Sequence, residues 1–390
     1  MIYKTAAVSV TNLLRTGLSS NITRTMSSGK YKVYITRSDM PECEPILIFT
    51  KICEVKMWSK PSPVPVDEFK KSISGVNAIY CSLTDKINKE ILDAAGSELK
   101  VVATISVGYD HIDIAECRKR GIRIGYTPDV LTDATAELTV SCLAEIGNLR
   151  CKVKMQVTSY NFIILFMIVF LHLQKFKLQM ALLLSTSRRL PEAQHEARTG
   201  GWVSWAPTWM TGPGLAGSTV GIVGLGRIGQ AIAKRIKSFN PRKILYFNRS
   251  EKKEAKEIGA IKVSFDELLA ESDFVICSAA LVPETKEIFN KSAFEKMKRT
   301  AIFINTSRGG TVDQDALIDA LKNNTIRAAG LDVTTPEPLP LDSPLFRLRN
   351  CVVLPHIGSA TIETRNTMSE LSANNILAAL NGVDMPAELK

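Results

Sequence analysis

Short apolar runs of strand length alternate with stretches of helical spacing along the chain from Lys30 onward. Strands that alternate with helices form βαβ units, so this pattern predicts an α/β fold with parallel sheets. The predicted strands are 30–36, 76–81, 100–105, 219–223, 243–247, 274–278, 300–305, 328–333 and 351–355. The predicted helices are 86–95, 112–120, one that opens at Gly226, and one around 252–258. No repeat of fixed period is visible, and the length suits about two domains.

One segment departs from this alternation. Residues 162–171 are ten consecutive apolar residues, which is too short for a helix that spans a bilayer. If 141–180 are removed, 135–140 and 181–190 join into one string of helical spacing that ends before Pro191. The sequence therefore predicts an atypical insert at 141–180 within a single helix.

The net charge of +10 is concentrated in two places. Residues 1–30 and 141–180 carry +4 each, which leaves +2 for the remaining chain. A nearly neutral body argues against a basic surface that binds nucleic acid.

The first 29 residues contain no Asp or Glu and are rich in Ser and Thr. This composition is typical of a mitochondrial transit peptide, and the alternatives are a disordered tail or a start at Met26. The eight cysteines form no C-x-x-C pair, so neither a disulfide framework nor a metal site is expected. Reduced thiols fit the cytoplasm or the mitochondrial matrix.

The strongest local motif is Gly224-Leu-Gly226-Arg-Ile-Gly229. It follows a predicted strand and opens a predicted helix. In that context glycines form a tight turn and let backbone N–H groups approach a pyrophosphate. The motif therefore predicts a dinucleotide site.

The strand after this motif ends in Asn248-Arg249-Ser250, where a site that prefers NAD carries an acid. Arg249 can pair with a 2′-phosphate through two N–H groups, and Ser250 and Lys252 are close in sequence. We therefore expect NADPH as the cofactor, with NADH as a weaker alternative. The other interpretation is an exposed basic loop without a ligand.

Chemically active side chains follow three further predicted strands: Arg308, the acids Asp332 and Glu337, and His356. Ligands of open α/β sheets bind beyond the carboxyl ends of the strands. An arginine can pair with a substrate carboxylate, a histidine can protonate a carbonyl oxygen, and an acid can orient the imidazole and favour its protonated form. Together they predict the reduction of a 2-oxo acid.

With these residues the sequence resembles the D-isomer-specific 2-hydroxyacid dehydrogenases. The motifs that carry the resemblance are Ser106-Val-Gly-Tyr-Asp-His-Ile-Asp113, Gly125-Tyr-Thr-Pro-Asp-Val-Leu-Thr132, the glycine motif, Ser307-Arg-Gly309, Asp332-Val-Thr-Thr-Pro-Glu-Pro338 and Pro355-His-Ile-Gly-Ser-Ala360. The resemblance runs from about residue 30 to residue 390 and skips only 141–180.

The resemblance implies two doubly wound, Rossmann-like α/β domains with a cleft between them. The substrate-binding domain would span 30–131 and be completed by 360–390. The NAD(P)-binding domain would span 132–359 and contain the insert. A homodimer is also implied, in which Trp205 reaches toward the partner's substrate pocket.

The resemblance also implies roles for individual residues. Catalysis would fall to Arg308, Glu337 and His356. The implied substrate contacts are the amides of Val107 and Gly108 together with Trp205, Arg308, His356 and Ser359. The implied cofactor contacts are Gly224, Gly226, Arg227, Ile228, Gly229, Arg249, Ser250, Lys252, Ala280, Thr306, Asp332 and Gly358, with Asp332 against the nicotinamide carboxamide.

The implied activity is NADPH-dependent reduction of glyoxylate and hydroxypyruvate to glycolate and D-glycerate, with no nucleic-acid partner and no membrane span. Three alternatives stay open. They are a phosphoglycerate- or lactate-type dehydrogenase, a non-catalytic nucleotide-sensing module like the corepressors of this fold, and an isoform that the insert makes inactive.

Overall fold

The computed structural model describes residues 31–41, 53–128 and 177–389, with side chains from residue 180 in the last stretch. The predictions for 1–29 and for 141–176 lie outside these residues. By its internal contacts the chain divides into an N-terminal unit, which ends at Pro128 and resumes at Arg365, and a central unit, Asp129–Thr364. Within the described ranges, no helix is long and apolar enough to cross a membrane.

The described residues of the N-terminal unit form a parallel sheet of five strands in the order β2-β1-β3-β4-β5. Its strands are β1 (Tyr31–Ile35), β2 (Cys53–Met57), β3 (Ala78–Cys81), β4 (Val101–Thr104) and β5 (Arg123–Gly125). Its helices are α1 (Val66–Ser72), α2 (Lys89–Ala95), α3 (Ile114–Lys119) and, from Arg365, most of α11 (Ile362–Leu380). Strands β3 and β4 are buried throughout, which explains why only Thr104, the last residue of β4, interrupts the run of hydrophobic residues.

In the central unit, the part of the chain that the structure describes forms a parallel sheet of seven strands in the order β12-β11-β10-β9-β6-β7-β8. Its strands are β6 (Thr219–Val223), β7 (Lys243–Phe247), β8 (Ala260–Lys262), β9 (Phe274–Cys277), β10 (Ile302–Asn305), β11 (Ala328–Leu331) and β12 (Cys351–Val353). Its helices are α4 (Lys177–Ser187), α5 (Leu190–Thr199), α6 (Arg227–Ile236), α7 (Glu254–Ile258), α8 (Phe265–Glu271), α9 (Lys291–Lys296) and α10 (Gln314–Lys322). The strand order reverses between β6 and β9, which is where a doubly wound sheet binds its ligand.

Both faces of the central sheet are covered by apolar side chains. One face packs around Phe289 and Phe303, whose ring centroids lie 4.7 Å apart. The other packs α4 against β10 and β11, and α6 against β6, with Leu183 and Ile222 fully buried. Side-chain caps begin several helices of both units, and the capping residues are Asn88, Asp113, Ser264, Asn290 and Asp313.

The predicted fold class is confirmed, because two parallel sheets alternate with helices. Three short strands were not predicted, and β8 shows why: it lies at the edge of its sheet and two of its three residues are exposed. A helix does end before Pro191, as predicted, but a second helix begins immediately after it. Helix α4 ends at Ser187, Arg189 adopts a left-handed conformation, and Pro191 lies in the first turn of α5, where its missing N–H costs nothing.

The last four residues of the predicted insert, 177–180, lie within a helix. Residues 177–180 belong to the same helix as 181–187, and Met180 is buried in the central core. The bounds 141–180 of the insert stay a prediction, which two deletions with different C-terminal bounds can test.

Candidate active site

The glycine motif forms the turn between β6 and α6. Gly224 has a φ of +94°, and a Cβ on Gly229 would lie 2.1 Å from the Gly224 carbonyl oxygen, so the fold itself requires both glycines. A Cβ on Gly226 would meet nothing within 4 Å. Gly226 therefore keeps open space at the N-terminus of a ten-residue helix, where backbone N–H groups attract an anion. These residues fit the pyrophosphate of a dinucleotide.

The turn lies at the reversal point of the central sheet. A Cβ on Gly224 would lie 2.7 Å from the backbone nitrogen of Ala279, so the loops after β6 and β9 touch. Ala280 is exposed beside this contact, and Thr306 is half-buried after β10. Arg227 and Ile228 form the first turn of α6. The predicted cofactor contacts of this part thus lie around one crevice.

The loop after β7 lies beside the same turn, because the Gly224 N–H donates to the Phe247 carbonyl oxygen at 2.9 Å. Asn248 Nδ2 donates to the carbonyl oxygen of Ser250 at 3.0 Å and closes this loop. Arg249 and Ser250 are exposed. No residue in the described part of the chain pairs with the Arg249 guanidinium. The position that carries an acid in an NAD site therefore holds a neutral amide, followed by an available cation.

A histidine and a carboxylate meet beyond the neighbouring strands β11 and β12. Nδ1 of His356 lies 2.7 Å from Oε2 of Glu337, whose Oε1 accepts the Thr334 N–H at 3.0 Å. Burial by itself would raise the pKa of the Glu337 carboxyl group. The hydrogen bond and charge of His356, the Thr334 N–H and the charge of Arg308 outweigh burial, so this pKa lies below its ordinary value. An ionised Glu337 only accepts, so Nδ1 donates to it and Nε2 is left for another group.

The backbone around His356 is unusual. His356 has a φ of +53°, a region that few residues other than glycine adopt. Its N–H donates to the Asp332 carbonyl oxygen at 2.9 Å, and the N–H groups of Ile357 and Gly358 donate to the two Asp332 carboxylate oxygens, each at 2.9 Å. Ser359, the next residue, is buried. Asp332 therefore fixes the loop that carries His356.

Asp332 is 1% exposed, and burial raises the pKa of its carboxyl group to about 6. The two N–H groups and the charge of His356 oppose this rise. The sequence predicts a cofactor contact for Asp332. Its oxygens already bind the His356 loop, and each retains a further lone pair for such a contact.

Arg308 lies beyond β10, next in the sheet to β11, between Ser307 and the 3₁₀ turn Gly309–Thr311. It is half-buried, and its Nη1 donates to the Ser307 carbonyl oxygen at 2.8 Å. Its charge also lowers the pKa of Glu337. Arg308, Glu337 and His356 thus share the carboxyl edge of three adjacent strands, which brings a cation, an acid and an imidazole together.

In the N-terminal unit, Val107 and Gly108 lie in the loop after β4. Ser106 Oγ donates to the Gly108 carbonyl oxygen at 2.6 Å and lies 2.8 Å from Thr104 Oγ1, which fixes the turn. Within the described ranges, no acceptor takes the N–H of Val107 or of Gly108. Two backbone donors at a strand end are suited to a carboxylate.

Trp205 belongs to the loop after α5, where it is 82% exposed. Trp202 and Val203 are exposed beside it. An aromatic surface of this kind is typical of an interface with another protein chain.

Asn305 is the residue that the sequence interpretation missed. It is the last residue of the strand before Arg308, and the sequence alone assigns it no role. The available signal was an amide at the end of an otherwise apolar strand, two positions before Ser307.

Comparison with known proteins identifies the family. Residues 180–358 match the model for the D-isomer specific 2-hydroxyacid dehydrogenase, NAD binding domain. The human glyoxylate reductase/hydroxypyruvate reductase is 49% identical over 360 residues, which cover 92% of this chain and 98% of the human protein. The chain belongs to the D-isomer specific 2-hydroxyacid dehydrogenases. The family resemblance seen in the sequence is therefore confirmed.

Solved structures resemble this dehydrogenase over nearly all of its length. A protein from Thermus thermophilus is 36% identical with a TM-score of 0.76, and the match covers 92% of this chain and 100% of that one. An NADPH-dependent glyoxylate/hydroxypyruvate reductase from Sinorhizobium meliloti, solved with NADP and malonate, is 27% identical with a TM-score of 0.70. That match covers 93% of this chain and 97% of the bacterial one.

Proposed function

We propose that this dehydrogenase is an NADPH-preferring reductase that converts glyoxylate to glycolate and hydroxypyruvate to D-glycerate. The observation that carries the proposal is the 2.7 Å bond between Glu337 and His356, with Arg308 on the adjacent strand end. The name of the human relative, which is 49% identical, supports this choice of substrate among 2-oxo acids.

In this proposal Arg308 binds the substrate carboxylate through two N–H groups, and the amides of Val107 and Gly108 contribute further donors. His356 Nε2 donates a proton to the carbonyl oxygen. Glu337 orients the ring through Nδ1 and stabilises its protonated form. A bound reduced nicotinamide supplies the hydride that the carbonyl carbon accepts, so the ketone or aldehyde becomes a hydroxyl group.

The proposed preference for NADPH rests on the loop after β7. Arg249 has no ion-pair partner in the described ranges and follows an amide in place of an acid. Ser250 and Lys252 would add donors to a 2′-phosphate. One relative of known structure is named as NADPH-dependent.

We also propose a homodimer whose interface includes Trp205, since this side chain is 82% exposed. The working compartment would be one that keeps thiols reduced, because the described cysteines are unpaired and largely buried. Two compartments meet this condition, the cytoplasm and the mitochondrial matrix. A fusion of residues 1–35 to a fluorescent protein would distinguish them. Import into mitochondria indicates the matrix, and diffuse fluorescence indicates the cytoplasm.

The decisive experiment is a panel of steady-state rates with glyoxylate, hydroxypyruvate, pyruvate and phosphohydroxypyruvate, each with NADPH and with NADH. We expect the highest kcat/KM for the first two acids with NADPH. A preference for pyruvate or phosphohydroxypyruvate would instead assign a lactate- or phosphoglycerate-type enzyme. Tight NADPH binding without turnover of any acid would assign a nucleotide-sensing module.

A further inference from the structure

The side chain of Asn305 folds back under the loop that carries Arg308. Its Oδ1 accepts the Ser307 N–H at 3.0 Å and the Ser307 hydroxyl at 2.9 Å. Its Nδ2 donates to the Arg308 carbonyl oxygen at 3.1 Å and to Thr311 Oγ1 at 3.4 Å. A carboxamide has two acceptor and two donor positions, so Asn305 uses its full capacity on residues 307–311.

Asn305 is 0% exposed, so water cannot replace these bonds. Thr311, also 0% exposed, donates its hydroxyl to the same Arg308 carbonyl oxygen at 2.8 Å. The Arg308 carbonyl is therefore held from two sides within the core. Loss of either donor leaves a buried acceptor with less than its normal bonding, which is costly.

The opposite side of the loop has no room to move. A Cβ on Gly309 would lie 1.9 Å from the Thr334 carbonyl oxygen, so the loop packs directly against the backbone that leads to Glu337. Ser307 Oγ also lies 3.2 Å from Cys277 Sγ on β9. The loop is therefore fixed between β9, the Asn305 amide and residue 334. This fixes the backbone position from which the Arg308 side chain extends.

We propose that Asn305 is a positioning residue that sets the backbone of Arg308 for binding of the substrate carboxylate. This inference rests on the proposed function, because it assigns Arg308 as the carboxylate contact. Asn305 is fully buried, and the bonds of its side chain go to residues 307, 308 and 311. Its effect is exerted through the backbone of residues 307 and 308.

The test compares Asn305→Ala, Asn305→Asp and Thr311→Val in the full chain. Asn305→Asp keeps the shape and Oδ1 but places an acceptor against the Arg308 carbonyl oxygen. Thr311→Val keeps the volume and removes only the hydroxyl. Each variant should raise KM for glyoxylate by about tenfold while kcat changes by less than about threefold. Binding of NADPH, followed by fluorescence, should be unchanged.

Asn350→Ala is the matched control. Asn350 Nδ2 donates to two backbone carbonyl oxygens, those of Leu321 and Arg327, at 3.1 and 3.2 Å, just before β12. The variant therefore loses a comparable pair of hydrogen bonds, but at the N-terminal ends of the strands, away from Arg308. We expect this variant to lower Tm without a change in KM. An equal rise in KM would mean that general destabilisation, not positioning, explains the Asn305 variants.

A double-mutant cycle with Arg308→Ala tests the positioning role of Asn305 separately from the proposal that Arg308 binds the substrate carboxylate. If Asn305 acts through Arg308, Asn305→Ala should raise KM by less than about twofold once Arg308 is absent. An undiminished effect in that background overturns the positioning role. If Arg308→Ala alone leaves KM unchanged, the carboxylate assignment of the proposed function is wrong. If it raises KM and none of the Asn305 and Thr311 variants does, only the positioning role is wrong.

Discussion

Oε2 of Glu337 lies 2.7 Å from Nδ1 of His356, and the two residues follow strands that are neighbours in the central sheet. The other carboxylate oxygen of Glu337 accepts the Thr334 N–H, and this bond holds the carboxylate in place beside the imidazole. One ring nitrogen is committed to the carboxylate, and the other can serve a substrate. Each role in the proposed chemistry can be tested by removing one of these groups.

Glu337→Gln removes the charge and keeps the size of the side chain. We expect kcat to fall, because the imidazole loses the charged acceptor that orients its ring. The folded-state pKa of Glu337 lies below the ordinary 4.5. Its charge therefore stabilises the fold above that pH, and the contribution is lost as the pH falls through the folded-state value.

Thermal unfolding of wild type and Glu337→Gln over a pH series measures how much the charge of Glu337 stabilises the fold. The difference in Tm should be full near neutral pH and should shrink at acidic pH. A constant difference would show that Glu337 stabilises the fold by packing and not by its charge. A kcat equal to that of the wild type would remove Glu337 from the catalytic group.

His356→Asn tests the proton donor without changing the backbone. Asparagine tolerates the left-handed conformation that His356 adopts at a φ of +53°, whereas alanine would add strain to the loss of the imidazole. We expect kcat to fall by at least ~100-fold while binding of NADPH stays near normal. His195→Asn, on the exposed side of α5, is the control for the chemical change. Undiminished turnover would contradict the assignment of His356 as the acid.

Arg249→Ala tests the cofactor preference. A charge-assisted contact with a 2′-phosphate contributes about 1.5–3 kcal/mol, so the ratio of kcat/KM for NADPH over NADH should narrow by roughly 10- to 150-fold. Lys256→Ala removes an exposed cation from α7 nearby and should leave the ratio unchanged. If the wild type uses both cofactors equally, Arg249 has no such role.

The sequence predicts strands whose residues are mostly buried. It does not predict the hydrogen bonds that side chains make to the backbone of loops. Strands 219–223 and 243–247 were predicted with their observed bounds, since the first is buried at all five residues and the second at its three central ones. The edge strand Ala260–Lys262 lacks that signal. Asp332 shows a second limit: its bonds to the Ile357 and Gly358 N–H groups exist only because His356 turns left-handed. Spacing along the chain does not reveal such a turn. The same is true of Asn305, whose bonds depend on the fold of residues 307–311.

Gly226→Ala and Gly229→Ala form a pair that separates binding from folding. Gly226 has a φ of −74° and open space around it, so alanine should leave Tm unchanged or slightly higher and weaken NADPH binding by obstructing the approach of the pyrophosphate. A Cβ on Gly229 would lie 2.1 Å from a carbonyl oxygen, so this variant should be less stable by about 1–3 kcal/mol. Equal affinity of Gly226→Ala and wild type for NADPH, measured by fluorescence titration, would contradict a pyrophosphate site at this turn.

Deletion of 141–180 tests whether the predicted insert is foreign to the working enzyme. These residues include ten consecutive apolar residues rich in Ile and Phe, which favour pairing between chains when exposed. We therefore expect the full chain to be poorly soluble and weakly active, and the shortened chain to be a soluble, active dimer.

The position of Met180 refines this experiment. Met180 is buried in α4 against the central core, so removal of 141–180 also deletes an observed packing contact, and removal of 141–176 does not. A match to the family's NAD-binding domain that begins at residue 180 agrees with a boundary close to this point. Both deletions and the full chain should be compared by soluble yield, light scattering and oxidation of NADPH with glyoxylate. If 141–176 is the better deletion, the helix from Lys177 is part of the enzyme core. If the full chain is an equally soluble and active dimer, the segment is a genuine accessory element and the prediction of a foreign insert is wrong.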